Sequence, residues 1–174
     1  MKKILVLSDS HSAMSFMRMC VNKISPTAII HLGDHFDDGE ALHEEFPYIP
    51  FFQVAGNCDR YRTPPHAREI LNMPLYGVRI YMTHGHIHRV KAGLGALIAD
   101  ARKIGVQAVL FGHTHQSCCV QEEDGLWVIN PGSCGSYGGS AALIEAVNGK
   151  ITACRILRQA DLDQLTETEK TPEP

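Results

Sequence analysis

Hydrophobic and polar positions in the first third of the chain alternate between strand-like and helix-like patterns. Three short apolar runs predict buried strands, at Lys3–Leu7, Ala28–Leu32 and Phe51–Ala55. Between these runs, helical spacing predicts a helix at Met14–Ile24, with Ser12 as a candidate N-cap, and a shorter helix at Asp38–Phe46. Strands that alternate with helices favour parallel β-α-β units.

The pattern changes after Asn57, where paired apolar segments around turn residues predict antiparallel hairpins. The predicted pairs are Glu69–Met73 with Val78–Met82, Ser117–Gln121 with Trp127–Asn130, and Ala141–Val147 with Ile151–Leu157. The last pair encloses Asn148-Gly149, a strong hairpin signal. A helix at Lys91–Ile104 that ends at Gly105 and a buried strand at Val106–Phe111 complete the pattern. We therefore predict an α/β fold in which two mixed β-sheets pack face to face, flanked by helices.

Length and charge indicate one globular domain. The chain has 174 residues and a formal net charge of −3, and we predict a single domain over residues 1–158 with an acidic, mobile tail over residues 159–174. No apolar run approaches the roughly 18 residues of a membrane span. The first apolar run is too short for a secretory signal, so we expect a cytoplasmic protein. The sequence has no cluster of basic residues of the kind that indicates a nucleic-acid-binding surface.

Six cysteines are present, and none of them are spaced as C-x-x-C. This spacing argues against a zinc knuckle and against a thioredoxin motif. Without a secretory signal we expect reduced thiols, with Cys20 and Cys154 as small core residues.

The ten histidines are the unusual feature of the composition, and most of them follow predicted strands. Five strands each end in a small polar cluster, and the ligand-type residues of these clusters are Asp9, His11, Asp34, Asn57, His84, His113 and His115. The carboxyl ends of parallel strands form the binding crevice of an α/β sheet, so the clusters can converge. Two carboxylates, four imidazoles and one amide oxygen suit a dinuclear site with metals about 3.5–4 Å apart. One such motif alone is weak, whereas five in succession are a strong signal.

These motifs resemble the calcineurin-like metallophosphoesterase superfamily. Asp-x-His, Gly-Asp, Gly-Asn-x-Asp, Thr-His-Gly-His and Gly-His-Thr-His occur in this order, and the likeness covers about residues 3–158. The short length and the segments 56–59 and 130–133 resemble its small bacterial and archaeal phosphodiesterase branch. The resemblance implies a four-layer α/β/β/α sandwich. It also implies one metal held by Asp9, His11, Asp34 and His115, and a second held by Asp34, Asn57, His84 and His113, with Asp34 as the bridge.

The sequence departs from the family at Cys58, where many members have a histidine that is implied to protonate or stabilise the leaving group. A thiol with an ordinary pKa near 8.5 is a poorer proton donor than imidazolium. We therefore interpret Cys58 as a spacer rather than as a nucleophile. His86 is the candidate donor and phosphate contact. Asp59 either orients a metal ligand or caps a loop or helix.

Other polar residues have ordinary interpretations. Surface or rim positions are expected for His35, His43, Arg60, Arg62, His66 and His88, and a strand interior for His31. No P-loop, serine-hydrolase elbow or zincin motif is present.

We expect a phosphodiesterase with two divalent metals, acting on a small phosphate ester by in-line attack of a metal-bridging hydroxide. Catalytic roles are expected for Asp34, Asn57 and His86, and they are considered for Cys58 and Asp59. Mixed nitrogen and oxygen ligands favour Mn²⁺, Fe²⁺, Co²⁺, Ni²⁺ or Zn²⁺, and the resemblance favours Mn²⁺. The alternatives are a phosphomonoesterase or nucleotidase on the same site, and a non-catalytic protein-binding scaffold of the same fold. Similar small enzymes form homo-oligomers, so a homo-oligomer is compatible with the resemblance.

Overall fold

The computed structural model of the protein describes residues 1–59, 64–65 and 67–165. The strands in this part are β1 (Lys2–Leu7), β2 (Ala28–His31), β3 (Phe51–Gln53), β4 (Ile70–Leu75), β5 (Val78–Thr83), β6 (Ala108–Leu110), β7 (Cys118–Gln121), β8 (Trp127–Asn130), β9 (Ser140–Val147) and β10 (Lys150–Arg158). The α-helices are α1 (Met14–Ile24), α2 (Phe36–Glu45), α3 (Gly95–Ile104) and α4 (Gln159–Gln164). Within these residues no helix has the length and apolar character needed to cross a membrane.

The strands form two five-stranded mixed sheets. Sheet A has the order β10-β9-β1-β2-β3, and sheet B has the order β4-β5-β6-β8-β7. β1, β2 and β3 run parallel in sheet A, while β9 and β10 continue that sheet antiparallel. β5, β6 and β8 run parallel in sheet B, with β4 and β7 antiparallel at its edges. The three predicted hairpins are therefore confirmed.

Apolar side chains form three packed layers between four layers of structure. The central layer joins the two sheets, with Ile4 and Ile30 of sheet A in one cluster with Ile80 and Leu110 of sheet B. A second layer packs α1, α2 and α4 on the outer face of sheet A, and a third packs α3 on the outer face of sheet B. This arrangement confirms the predicted α/β/β/α sandwich. It also explains why the strand residues are apolar almost without interruption, because both faces of the central strands are covered.

Two predicted helix starts are wrong. α2 begins at Phe36, two residues earlier than predicted, because Asp59 accepts hydrogen bonds from the free N–H groups at its start. α3 begins at Gly95 rather than Lys91, because Gly93, inside the predicted span, has a φ of +144° that interrupts helical geometry. The predicted N-cap Ser12 is also wrong, since it lies outside α1 and Ala13 is the residue that precedes the helix.

The packed part of the chain extends past the predicted boundary at residue 158. Residues 159–164 form α4, and Leu162 is fully buried against the outer face of sheet A. Asp161 accepts the N–H of Arg158 at 2.7 Å and caps the helix. The acidic composition of this segment predicted a solvated tail, but Leu162 and the partly buried Leu165 pack on the core. The remainder of the predicted tail, residues 166–174, lies outside the described residues.

The expectation of reduced thiols is wrong for one pair of cysteines. Cys119 on β7 and Cys154 on β10 form a disulfide with their Cα atoms 6.0 Å apart. These are the edge strands of opposite sheets, so the bond closes one side of the sandwich. Cys154 does contact the core, as predicted, but as part of this bridge. Sequence spacing could not reveal the pair, because the two strands meet only once the sheets stack.

Candidate metal centre

The five polar clusters lie at the carboxyl ends of five parallel strands, as predicted. In sheet A, β1 leads to Asp9 and His11, β2 leads to Asp34, and β3 leads to Asn57. In sheet B, β5 leads to His84, and β6 leads to His113 and His115. Because the sheets stack face to face with these ends together, both contribute side chains to one crevice.

A first group of ligand atoms belongs to Asp9, His11 and His115, all within 4.8 Å of one another. The Nε2 atom of His115 lies 3.1 Å from Oδ1 of Asp9. Asp9 is fully buried, whereas His11 and His115 are exposed at the surface. This group therefore has one buried carboxylate below and two imidazoles at the opening.

A second group belongs to Asp34, His84 and His113, again within 4.8 Å. The Nε2 atom of His84 lies 3.4 Å from Oδ2 of Asp34 and 3.2 Å from Nδ1 of His113. The Nδ1 atom of His84 donates to the carbonyl of Leu32 at 2.8 Å. Because that carbonyl can only accept, it leaves Nε2 as the free ring nitrogen, which is the arrangement that metal-binding histidines use.

The two groups adjoin and contain buried oxygen atoms that accept no hydrogen bond within the described chain. His84 Nε2 of the second group lies 3.9 Å from Asp9 Oδ1 of the first group. Asp9 Oδ1 is buried without a hydrogen bond, and so is Oδ1 of Asn57. A buried oxygen without a partner costs free energy unless something coordinates it. Two such oxygens among imidazoles fit a pair of divalent cations.

The loops that carry these side chains adopt costly backbone geometry. Positive φ angles occur at the candidate ligands Asp9, His11, Asp34, His113 and His115. Each non-glycine residue in this region costs on the order of 1 kcal/mol, and such residues concentrate at functional sites. The strain turns side chains from successive strand ends toward one point.

Two glycines allow the ligand loops to approach one another. A Cβ atom on Gly56 would collide with Oδ1 and the backbone of Asp34. A Cβ atom on Gly112 would collide with Oγ of Ser8 and with Oδ2 of Asp9. The glycines of the sequence motifs are therefore explained by close packing between loops.

The ionisation of Asp34 and His113 in the second group favours cation binding, whereas a proton on His84 must be displaced by the cation. Burial opposes the charge on Asp34, but hydrogen bonds from His84 and Cys58 outweigh it and hold the pKa of Asp34 well below its usual range. Burial also opposes a charge on His84, yet Asp34 and Asp9 together raise the pKa of His84. Burial and the neighbouring His84 lower the pKa of His113 to about 4, so His113 is a neutral ligand at neutral pH.

Asp59 joins two of the ligand loops. Its Oδ2 accepts the N–H groups of Asp34 at 2.9 Å and of Gly56 at 2.7 Å. Its Oδ1 accepts the N–H groups of His35 at 2.8 Å and of Phe36 at 2.9 Å. The sequence left open whether Asp59 orients a ligand or caps a helix, and its contacts do both.

Cys58 and His86 stand beside the second group. The backbone N–H of Cys58 donates to Asp34 Oδ1 at 2.9 Å. Although the residue is largely exposed, partial burial of the sulfur and the Asp34 carboxylate raise the pKa of the Cys58 thiol to about 11, which keeps it protonated. The His86 ring lies 5.6 Å from that of His84, and its Nε2 is 3.2 Å from Glu69 Oε1. Nδ1 of His86 is buried without a partner in the described chain.

The remaining histidines divide between the rim and the interior. His35 lies at the rim, with its ring 4.9 Å from that of His11, and His43 is exposed. His31 is fully buried in β2, as predicted. The surface position expected for His88 is wrong, because its side chain is 7% exposed and bonds Tyr81 and Asp100. Arg60, Arg62 and His66 lie outside the described residues.

Several residues outside the seven candidate ligands hold those ligands in place. Ser8 donates to Asp9 Oδ2 at 2.6 Å, and Asp38 accepts from Ser10 and from the N–H of Ser12. Asn130 donates to the carbonyl of Gly112 at 3.0 Å and so supports the His113 loop. Asn130 is the last residue of β8, the third parallel strand of sheet B. Its place at a strand end, in the segment 130–133 that resembles the family, is the signal that points to it.

Comparisons with known proteins identify relatives of the chain. Residues 1–149 match the model of the calcineurin-like phosphoesterase superfamily domain. A probable metallophosphoesterase of Mycoplasma pneumoniae is 31% identical over 136 residues, which cover 76% of this chain and 79% of the relative. A phosphodiesterase of Methanocaldococcus jannaschii is 26% identical over 150 residues, which cover 78% of this chain and 86% of the relative.

Solved structures share the fold at lower sequence identity. A Streptococcus pneumoniae protein described as a predicted phosphoesterase aligns with a TM-score of 0.74 and 23% identity, over 91% of this chain and 90% of that chain. Vps29 of Entamoeba histolytica complexed with zinc aligns with a TM-score of 0.64 and 18% identity, over 90% and 99% of the two chains. The match of the family model over most of its length shows that the chain belongs to the calcineurin-like phosphoesterase superfamily.

Proposed function

We propose that the protein is a phosphodiesterase that hydrolyses a small phosphate ester with two divalent metal ions, for which Mn²⁺ is the preferred choice. The observation that carries this proposal is the pair of adjoining ligand groups, with buried oxygens on Asp9 and Asn57 that accept no hydrogen bond. The phosphodiesterase name of the Methanocaldococcus jannaschii relative supports a diester as the substrate. Mixed imidazole and carboxylate ligands support a first-row transition metal.

Seven side chains would hold the metals. The first group, Asp9, His11 and His115, would hold one ion, and the second, Asp34, His84 and His113, would hold the other. Asn57 would complete the second group with its free oxygen, and Asp34 would bridge the two. When bound, such a pair supplies Lewis-acid activation of water and of a phosphate ester.

Residues beside the metal ligands would bind and orient the ester. His86 is the candidate contact for a phosphoryl or leaving-group oxygen, because it stands between the second group and Glu69, which restrains its ring. The Cys58 thiol stays protonated, which supports its interpretation as a spacer. A diester with a good leaving group suits a site in which no histidine occupies position 58.

A protein-binding scaffold is the second candidate, because Vps29 shares the fold. The complete set of seven ligand-type side chains, directed to one point by strained loops, supports the enzyme over the scaffold. Because the Vps29 structure is a zinc complex, hydrolysis rather than metal binding separates the two candidates.

The test measures hydrolysis of the diester bis(p-nitrophenyl) phosphate and of the monoester p-nitrophenyl phosphate. Each is assayed with chelator-treated protein and again after addition of Mn²⁺. The proposal predicts Mn²⁺-dependent hydrolysis of the diester, with a higher kcat/KM than for the monoester, and loss of activity in Asp34→Asn. A higher kcat/KM for the monoester would make the protein a phosphomonoesterase. No hydrolysis of either ester by Mn²⁺-loaded protein would favour the scaffold. Asp124→Asn, at an exposed carboxylate bound to Arg102, is the matched control and keeps full activity.

A further inference from the structure

A carboxylate outside the seven candidate ligands binds the chain on both sides of His11. Asp38 lies in the first turn of α2, and its side chain is 15% exposed. Its Oδ2 atom accepts the hydroxyl of Ser10 at 2.8 Å and the backbone N–H of Ser12, also at 2.8 Å. His11 is the residue between these two contacts, so Asp38 fixes the part of the loop that carries this ligand.

The loop depends on such a contact because its backbone is strained. The φ angle is +42° at His11 and +68° at Ser12, a region that is costly for residues other than glycine. Within the described residues, the N–H of His11 makes no hydrogen bond, and that of Ser12 bonds Asp38. The Asp38 carboxylate is therefore what stabilises this conformation of the two residues.

The same carboxylate also faces the ring that packs on His11. The His35 ring lies edge to face with the His11 ring, with centroids 4.9 Å apart. The Nδ1 atom of His35 lies 3.7 Å from Oδ2 of Asp38. Asp38 thus restrains His11 through the backbone on either side of it and through the neighbouring imidazole.

The second ligand group is held by different contacts. The Asp34 backbone N–H donates to Asp59, and Oδ1 of Asp34 accepts the N–H of Cys58. The Nδ1 atom of His84 donates to the carbonyl of Leu32. None of these contacts uses the Asp38 carboxylate, so its removal leaves the support of the second group in place.

The two groups also differ in how far packing restrains their ligands. In the first group His11 and His115 are exposed, whereas the ligands of the second group are buried or half-buried. An exposed side chain loses more conformational freedom when it binds an ion, unless other contacts have already restricted it. The affinity of the first group should therefore depend strongly on the contacts that hold His11.

From these contacts we propose that Asp38 is a positioning residue that sets the metal affinity of the first group alone. The proposal rests on the proposed two-metal function and assigns control of one of the two ions to this residue. Outer hydrogen-bond partners commonly contribute 10–100-fold to the affinity of a metal site. A protein without the Asp38 carboxylate therefore carries one ion at Mn²⁺ concentrations at which the wild type carries two.

The test titrates chelated protein with Mn²⁺ and follows the number of bound ions by native mass spectrometry and their affinities by calorimetry. In Asp38→Ala we expect the affinity for one ion to fall about 10–100-fold and that for the other to stay unchanged. Asp38→Asn keeps one acceptor oxygen and is expected to lose less. Glu40→Gln, at an exposed carboxylate of the same helix, is the matched control and keeps both affinities.

A double variant identifies the affected ion. Because Asp38 acts through His11, we expect His11→Ala with Asp38→Ala to bind the remaining ion as tightly as His11→Ala alone. Hydrolysis gives a further readout. Asp38→Ala is expected to need about 10–100-fold more Mn²⁺ for half-maximal turnover of bis(p-nitrophenyl) phosphate, and to reach the wild-type kcat once Mn²⁺ saturates.

Equal weakening of both ions, or unchanged affinities in folded Asp38→Ala, would overturn the assignment. If Asp38→Ala does not fold, Ser10→Ala removes one of the two contacts with the loss of a single oxygen, and it should weaken the same ion by less. Unchanged affinities in Ser10→Ala and Asp38→Asn would then overturn it. Failure of the proposed function appears separately, as a wild type that binds two ions and hydrolyses no ester, whereas a wild type that binds one ion would overturn both.

Discussion

Asp59 accepts a hydrogen bond from the backbone N–H of Asp34, at 2.9 Å, and so ties the β3 loop to the loop that carries the proposed bridging ligand. Asp34 has a φ of +57° and the next residue, His35, a φ of +70°. The same Asp59 carboxylate accepts the N–H of His35. One buried carboxylate thus holds a costly turn in place, which makes Asp59 a positioning residue for the metal centre.

Removing that carboxylate should weaken metal binding. We expect Asp59→Ala to lower Mn²⁺ affinity by about 10–100-fold, because outer hydrogen-bond partners commonly contribute that much to metal sites. Asp59→Asn keeps one acceptor oxygen, and its Mn²⁺ affinity is expected to lie between those of the wild type and Asp59→Ala. Calorimetric titration of the chelated protein measures the effect, with Asp124→Asn as the surface control. Unchanged Mn²⁺ affinity in a folded Asp59→Ala protein would assign Asp59 to helix capping alone.

Metal binding should weaken in acid at a pH set by His84. Asp34 and Asp9 raise the pKa of His84 above the ordinary value of about 6.5, so the metal must displace a proton near neutral pH. His113, with a pKa lowered to about 4, adds no competing proton there. Mn²⁺ titrations between pH 6 and 8 should show affinity falling as pH falls, with proton release detected as a buffer-dependent heat. Affinity that is constant across this range would contradict the assignment of His84 as a ligand.

Stability should depend on pH through His31. Burial lowers the pKa of His31 to about 4, so the unfolded chain binds this proton more readily than the fold does. The contribution of neutral His31 to the free energy of unfolding is fully present above pH 6.5 and is lost as pH falls from 6.5 toward 4. From pH 7 to pH 5 we expect the free energy of unfolding to fall about 2 kcal/mol more in wild type than in His31→Gln.

Urea unfolding in the presence of a chelator measures this difference and keeps metal linkage out of the comparison. His84, whose raised pKa acts in the opposite direction, is present in both proteins and cancels. His43→Gln, at an exposed histidine, should follow the wild type. An equal pH dependence in wild type and His31→Gln would refute the account of His31.

The bond between Cys119 and Cys154 should be visible in mass and in stability. Protein purified without reductant is expected to be lighter than reduced protein by two hydrogen atoms per chain. Because the bond encloses a separation of 35 residues, we expect Cys154→Ser to lose about 3–4 kcal/mol in the free energy of unfolding under the chain-entropy model. Cys58→Ser, at an exposed thiol, should lose little. A full complement of free thiols in unreduced protein would contradict the bridge.

The sequence could predict the layers and the convergence of the ligands because both depend on local signals. Apolar runs identified the strands, and Asp9, Asp34 and His84 follow those strands within a few residues. Parallel strands bring such ends together irrespective of the details of packing. The hairpin around Asn148-Gly149 could likewise be predicted from two adjacent residues.

Features that depend on contacts distant in sequence were not predictable. Asp59 accepts four backbone N–H groups. Three of them, from residues 34–36, lie more than twenty residues away in sequence, and the fourth belongs to the nearby Gly56. Cys119 and Cys154 meet only after two sheets stack, and Leu162 anchors α4 in a segment whose charges indicated a tail. A cytoplasmic location and a homo-oligomer stay predictions.

The central claim is that two metal ions bind and that both are needed for diester hydrolysis. Native mass spectrometry of the chelated protein titrated with Mn²⁺, with bis(p-nitrophenyl) phosphate turnover followed in parallel, tests it most directly. We predict two ions per chain in the wild type, with activity that rises with the doubly loaded form. In Asp34→Asn, metal and activity should be lost together, because the bridge has lost its charge. Full activity in Asp34→Asn, or full activity with one ion bound, would contradict the two-metal centre.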